Sequence, residues 1–168
     1  MHNASMVAMR QIVEDYDLAD GKVVVDVGSY DYNGTYRPLF PGSRYIGADI
    51  MAGPNVDVIV GSPEWDALGG ADAVISGQTF EHVEDDSTLL GQMHSILKPG
   101  GLLCVITPST GPVHDAPKWY RHYTAESLSG IVRDAGFEVL YCTIDPGAEF
   151  HDVCCVAKKM ERKKAIYG

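Results

Sequence analysis

Apolar residues recur at helical spacing at the start of the chain. Met6, Met9, Ile12, Val13 and Tyr16 share one face, which predicts an amphipathic helix over residues 5–17, with Asp20-Gly21 as its stop signal. The pattern then changes. Val23-Val24-Val25-Asp26-Val27 is a short β-branched run of the kind expected for a strand buried on both faces. Residues 29–42 are rich in Gly, Asn, Tyr and Pro and read as a loop with a short helix near Tyr36. Arg44–Ile50 and Val56–Val60 predict the second and third strands, and Ala71–Ser76 the fourth.

A helix is predicted over 84–97, before Lys98-Pro99-Gly100-Gly101, and a fifth strand over Leu102–Thr107. A Pro- and aromatic-rich loop occupies 108–123. Thr124, three residues before Ser127, caps a further helix that Gly136 stops. Phe137–Ile144 and Asp152–Lys159 flank a short Asp-Pro-Gly turn and read as an antiparallel hairpin. Short apolar strands alternating with helices predict an α/β, Rossmann-like, doubly wound sheet. Its strands are mainly parallel, with one antiparallel strand supplied by the C-terminal hairpin. In such sheets ligands sit beyond the carboxyl ends of the strands, at the point where strand order reverses.

Composition narrows this picture. The chain has 168 residues, 45% of them hydrophobic, which suits one folded domain over 1–168. Its 13 Lys and Arg against 23 Asp and Glu leave a net charge of −10, and argue against a general nucleic-acid binder or an anionic membrane surface as partner. Five of the cations fall in a basic C-terminal tail, 158–168, so residues 1–157 carry a net charge of −14. No apolar run reaches membrane-spanning length, and the first residues lack the layout of a secretory leader; a cytoplasmic protein is the expectation. Cys104, Cys142, Cys154 and Cys155 lie in or beside apolar runs, as buried thiols do, and adjacent Cys154 and Cys155 should face opposite sides of a strand.

The strand ends carry the candidate chemistry. Gly28, after Asp26-Val27, lets the backbone turn and approach a ligand, but Tyr30 and Asn33 break the full dinucleotide glycine pattern, which disfavours a nicotinamide oxidoreductase. Asp49 ends the second strand 21 residues after Gly28, where a carboxylate can accept from ribose hydroxyls.

Several segments, taken in order, resemble class I S-adenosylmethionine-dependent methyltransferases. They are Val-Asp-Val-Gly-Ser (25–29), Tyr-Ile-Gly-Ala-Asp-Ile (45–50), Ile-Ser-Gly-Gln-Thr-Phe-Glu-His-Val (75–83) and Ile-Leu-Lys-Pro-Gly-Gly-Leu-Leu (96–103). Tyr-Arg-His-Tyr-Thr-Ala-Glu-Ser-Leu (120–128) and Ala-Gly-Phe-Glu-Val (135–139) also fit, so the resemblance spans about residues 20–158. It implies a seven-stranded sheet with S-adenosyl-L-methionine as cofactor. Asp26 and Gly28, with Ser29 and Tyr30 in the same turn, would lie under its amino-acid part. Asp49 would bind the ribose and Ile50 or Met51 would pack on the adenine. Gln78 would face the methionine portion. The adenine-framing segment is 61–65, and Ser62 falls where the family often carries an acidic residue.

Methyl transfer is an in-line displacement governed by proximity and orientation, and a hydroxyl acceptor also needs a base. His82, after the fourth strand, and His114, in the 108–123 loop, are the candidate catalytic bases, with His122 as a third. Trp119, Tyr120 and Arg121 are candidate acceptor contacts: an apolar wall and a guanidinium for a carboxylate or phosphate. No resident metal is expected. His114 with Asp115, or His82 with Glu81, supplies only two ligands. The favoured function is O-methylation of a small sugar-like or natural-product hydroxyl. N-methylation and a non-catalytic, cofactor-binding scaffold are the alternatives. A domain this short, with little material to cap its substrate, is a candidate homodimer.

Overall fold

The computed structural model describes residues 3–61, 65–111, 118–145, 147–149 and 151–160. Helix α1 (Asn3–Asp15) leads into β1 (Asp20–Val27), β2 (Gly42–Asp49), β3 (Val58–Ile59) and β4 (Ala71–Gly77). Then come α2 (Asp86–Ile96), β5 (Leu97–Pro108), α3 (Ala125–Asp134), β6 (Phe137–Ile144) and β7 (Asp152–Lys159). The seven strands form one sheet in the order β3-β2-β1-β4-β5-β7-β6. All neighbours pair parallel except β7, which runs antiparallel to both β5 and β6. Order reverses between β1 and β4, so the expected switch point lies where those two strands end.

Each face of the sheet has its own core. Met9, Ile12 and Val13 of α1 cover Val24, Ala73, Ile75, Cys104 and Ile106, and Tyr36, Phe40 and Tyr45 complete that layer. On the other face, Leu90, Met93 and Ile96 of α2 and Leu128 and Val132 of α3 cover Val25, Val74, Leu103, Val105 and Cys155. The central strands therefore read as continuous apolar runs because both of their faces are buried. Cys155 packs on the α2/α3 face and Cys154 on the α1 face, the split expected of adjacent strand residues. All four cysteines are free thiols.

Several boundaries differ from the sequence reading, each for a local reason. Helix α1 ends at Asp15, and Asp17 turns the chain at φ +52°, so Asp20-Gly21 already belongs to β1 rather than stopping the helix. The third strand has two residues rather than five, because Asn55 adopts φ +68° and Val56 closes a turn on the Gly53 carbonyl. Only a three-residue 3-10 turn, Arg37–Leu39, forms near Tyr36. Helix α3 begins as expected: Thr124 accepts from the Ser127 amide at 3.0 Å, and Ser127 Oγ accepts from the Thr124 amide at 2.9 Å.

The basic tail does not begin at 158. Lys158 and Lys159 lie inside β7, and Lys159 Nζ donates to the carbonyls of His94 (2.6 Å) and Leu97 (2.7 Å). A cation thereby satisfies free carbonyls at the C-terminal end of α2.

Candidate functional site

At the β1 end, Asp26 is 3% exposed and Tyr45 Oη donates to its carboxylate. Burial pushes the Asp26 carboxyl up to about 7, and Asp49 pushes the same way; the Tyr45 hydrogen bond and the Arg37 charge pull it down. Gly28 follows at φ +80°, where a Cβ would lie 2.2 Å from Thr79 Oγ1. Only glycine meets both the conformation and the approach of the β4 loop.

At the β2 end, Asp49 Oδ2 accepts from the Tyr30 amide at 3.0 Å and Oδ1 from the Met51 amide at 3.2 Å. Two backbone donors thus aim this carboxylate. Beside it Ile50 and Met51 are exposed, an apolar shelf at the strand end. Ser29 Oγ donates to the Asn55 carbonyl, and Asn55 Nδ2 returns a bond to the Ser29 carbonyl at 2.9 Å. Arg37 stacks on Tyr45 and donates to Asn55 and Asp57, which pins the loop after β1 to the loop after β2.

At the β4 end, Gln78 adopts φ +58°, and its side-chain Nε2 is buried with no hydrogen-bond partner. A buried amide donor without an acceptor is costly and marks a place for a ligand acceptor. The chain then forms a 3-10 turn, Phe80–His82. Phe80 anchors it in the core, and Glu81 is 3% exposed. Glu81 Oε2 accepts from Thr107 Oγ1 of β5 at 2.9 Å. Burial pushes the Glu81 carboxyl up to about 7; its own amide and Thr107 oppose this and Asp152 adds to it. His82 Nδ1 lies 3.0 Å from the Lys118 carbonyl, and its Nε2 lies 3.8 Å from Glu81 Oε1.

These strand ends open onto one cavity of about 870 Å³. Asp26, Gly28, Ser29, Tyr30, Asp49, Ile50, Met51, Gln78, His82 and Trp119 all line it. Tyr120 and Arg121 do not lie in its wall. Arg121 is held by Asp86 Oδ2 (2.7 Å) and the Glu84 carbonyl (2.6 Å), so its guanidinium is engaged in anchoring the loop to the start of α2. The Tyr120 amide donates to the Glu81 carbonyl. Trp119 stands edge-on to the His82 ring at 5.8 Å and contacts His122 at 4.9 Å. Ser62 and His114, the other two candidates, lie outside the described residues, as does Asp115.

Sequence reading missed part of the wall. Thr79 and the first turns of α2 (Asp85, Thr88, Leu89 and Gln92) also face the cavity, as does Glu81, which the sequence offered only as half of a metal pair. The α2 residues carried a signal: Asp85 caps the helix, and a helix entered from a strand end must start near the sheet's edge. Tyr45, which lies outside the wall and donates to Asp26 from behind it, carried none, because a strand tyrosine reads as core.

The cavity wall has no Lys or Arg among the described residues, whereas Asp26, Asp49, Glu81 and Asp85 are all present. No helix among the described residues is long and apolar enough to cross a membrane.

Residues 8–141 match the sequence profile of a family described as methyltransferase domain. A curated protein of Mycolicibacterium smegmatis, named "Probable S-adenosylmethionine-dependent methyltransferase", is 32% identical over 96 residues. That match takes in 51% of this chain and 37% of that relative's length. Among solved structures, the Burkholderia thailandensis 1,6-didemethyltoxoflavin-N1-methyltransferase, with bound 1,6-didemethyltoxoflavin and S-adenosylhomocysteine, superposes with a TM-score of 0.77 at 22% identity. The alignment covers 94% of this chain and 79% of that one. A SAM-dependent methyltransferase from Aquifex aeolicus gives 0.66 at 18% identity, covering 88% and 87%. At these identities the two structures speak for the fold, which is Rossmann-like.

Proposed function

The chain belongs to the methyltransferase-domain family, and we propose that it moves a methyl group from S-adenosylmethionine, the family's cofactor, to a small-molecule acceptor bound at the His82–Trp119 end of the cavity. One observation carries the reading: two fixed carboxylates, Asp26 and Asp49, and the unpartnered Gln78 amide converge on a single cavity at the sheet's switch point.

The residues present fit the cofactor by their chemistry. Asp26 is a buried acid whose ionisation is opposed by its surroundings, so a cationic ammonium group is the partner it lacks. Asp49 offers oriented carboxylate oxygens to vicinal hydroxyls, with the Ile50 and Met51 shelf beside it for a flat base. Gln78 Nε2 supplies a donor for a carboxylate. When bound, S-adenosylmethionine supplies a methyl group on a positively charged sulfur. The protein's part is to hold the acceptor in line with that methyl and to exclude water, the larger share of catalysis in a displacement of this kind.

About 870 Å³ lies near the top of the range for small-ligand sites, roughly 300–1,000 Å³, and leaves room for a second molecule beside the cofactor. The wall's acidity favours a neutral or basic acceptor over a carboxylate or phosphate. That supports nitrogen as well as hydroxyl acceptors, and no observation places oxygen ahead. His82 serves as the base in this reading.

Calorimetric titration of the full chain with S-adenosylmethionine and S-adenosylhomocysteine tests the proposal. Binding of both, weakened at least tenfold in Asp49→Ala, is the expected result. No binding of either to the unaltered protein defeats it. A panel of amine and hydroxyl acceptors with labelled methyl donor then separates an enzyme from a binding protein.

A further inference from the structure

We propose that Glu81 and His82 act as one carboxylate–imidazole pair, in which the Lys118 carbonyl orients the ring, His82 Nε2 takes the acceptor's proton and the nearby Glu81 charge stabilises the imidazolium so formed. This rests on the methyltransferase reading above and adds a residue, Glu81, and a ring nitrogen to it.

The geometry assigns the tautomer. The Lys118 carbonyl, 3.0 Å from His82 Nδ1, can only accept a hydrogen bond. Nδ1 therefore carries the proton in the neutral ring, and Nε2 holds the lone pair. Nε2 lies 3.8 Å from Glu81 Oε1, so a proton arriving there meets a carboxylate. Glu81 is itself held: Thr107 Oγ1 donates to Oε2 at 2.9 Å, leaving Oε1 as the oxygen that looks at the ring. Both residues line the cavity, and the side chain of His82 is 21% exposed against 3% for Glu81. The histidine is thus the member that reaches the acceptor, and the glutamate acts through it.

Among the described residues, the titratable groups around the pair come from the 3-10 turn itself, β7 and the segment ahead of α3. Glu81 and His82 sit on the 3-10 turn. Asp152 of β7 lies close enough to raise the Glu81 carboxyl further, and Tyr123, ahead of α3, feels the Glu81 charge. From β5 comes only the neutral Thr107 hydroxyl. Trp119 stands edge-on to the ring, 5.8 Å between centroids.

The step balances. A neutral acceptor, amine or hydroxyl, bonds to the methyl carbon, the electron pair of the broken carbon–sulfur bond stays on sulfur, and the acceptor's proton passes to His82 Nε2. The positive charge lost from sulfur reappears on an imidazolium beside a carboxylate, and later leaves to solvent as a proton.

Nitrogen-15 NMR of the histidine rings in the full chain, saturated with S-adenosylhomocysteine, tests this without any acceptor. The expected neutral ring of His82 is protonated on Nδ1 and bare on Nε2. In Glu81→Gln its proton affinity falls about tenfold, one unit of titration midpoint. Thr107→Val, which leaves Glu81 in place but unheld, moves it in part, and Thr107→Ser restores it. A ring protonated on Nε2, or a midpoint that Glu81→Gln leaves unmoved, overturns the pair. If Glu81→Gln does not fold, the Thr107 variants decide. With any acceptor the protein methylates, His82→Gln lowers kcat about 100-fold at unchanged cofactor affinity; an equal kcat also overturns it. Failure of the unaltered protein to bind S-adenosylhomocysteine instead removes the methyltransferase reading beneath it.

Discussion

The Tyr45 hydroxyl, from the middle of β2, donates to the Asp26 carboxylate at the end of β1, and this bond ties a core residue of one strand to the charged floor of the cavity. Tyr45→Phe removes that donor and leaves a buried carboxylate less able to ionise. Cofactor affinity should fall by about 1.5–3 kcal/mol, the usual worth of a hydrogen bond to a charged group. Calorimetry at pH 8 reads the change. An unaltered Kd would show that Asp26 does not act as an anion there.

The two raised carboxyls set a pH dependence. Burial raises the Asp26 and Glu81 carboxyls from their ordinary values of 3.8 and 4.5 to about 7. Between those limits the folded state holds more protons than the unfolded chain. Their contribution to stability is complete below about pH 4 and is lost as pH rises through about 7, of order a few kcal/mol together. Asp85 works in the opposite sense: amide and hydroxyl donors led by the Thr88 amide lower it to about 2. The Tm of the ligand-free protein should therefore decline from pH 5 to pH 8, while stabilisation by S-adenosylhomocysteine grows over the same range. A Tm that climbs throughout contradicts this assignment.

Gly28→Ala places a methyl group against Thr79 at a positive φ. The variant should lose about 1–3 kcal/mol of stability and most of its cofactor affinity. Adding Thr79→Gly removes all three clashing atoms but not the backbone strain, so the double variant should recover only part of the lost Tm.

Gln78 separates stability from binding. Glycine relieves its left-handed backbone conformation and removes a buried donor that lacks an acceptor. Relief of the left-handed strain, less the entropy cost of glycine, should make Gln78→Gly raise the ligand-free Tm by about 0.5–1 kcal/mol in stability, and at the same time weaken cofactor binding. A variant that loses both would mean the side chain packs rather than waits for a ligand.

Arg121→Ala should act on stability alone. Its guanidinium bridges Asp86 and the Glu84 carbonyl outside the cavity wall, and Tyr123 continues to donate to Asp86 at 2.9 Å when it is gone. A loss of about 1 kcal/mol in denaturant titration, with no change in cofactor Kd, is expected.

The sheet was legible in the sequence because its central strands are buried on both faces, and Val23–Val27 or Leu102–Thr107 can hardly read as anything else. Asp26, Gly28, Asp49 and Gln78 were legible for a related reason: each stands where an apolar run stops. Two kinds of feature were not. Arg121 carries a charge that suits a ligand, and only the fold reveals Asp86 35 positions away as its partner. Glu81 looked like half of a weak metal pair until β5 brought Thr107 to its far oxygen. Short-range pattern locates a strand end, whereas long-range pairing decides what a side chain there is free to do.

The place of β7 has a consequence for how the chain is made. It fills the slot between β5 and β6, yet residues 152–159 come last of the three in sequence. Until they emerge from the ribosome, β5 presents a naked edge over Leu102–Ile106, and β6 has no strand to pair with. Lys159 is absent as well, so the end of α2 lacks its cation. The nascent protein therefore passes through a stage with a long, apolar, unpaired border, the kind of surface on which neighbouring copies aggregate.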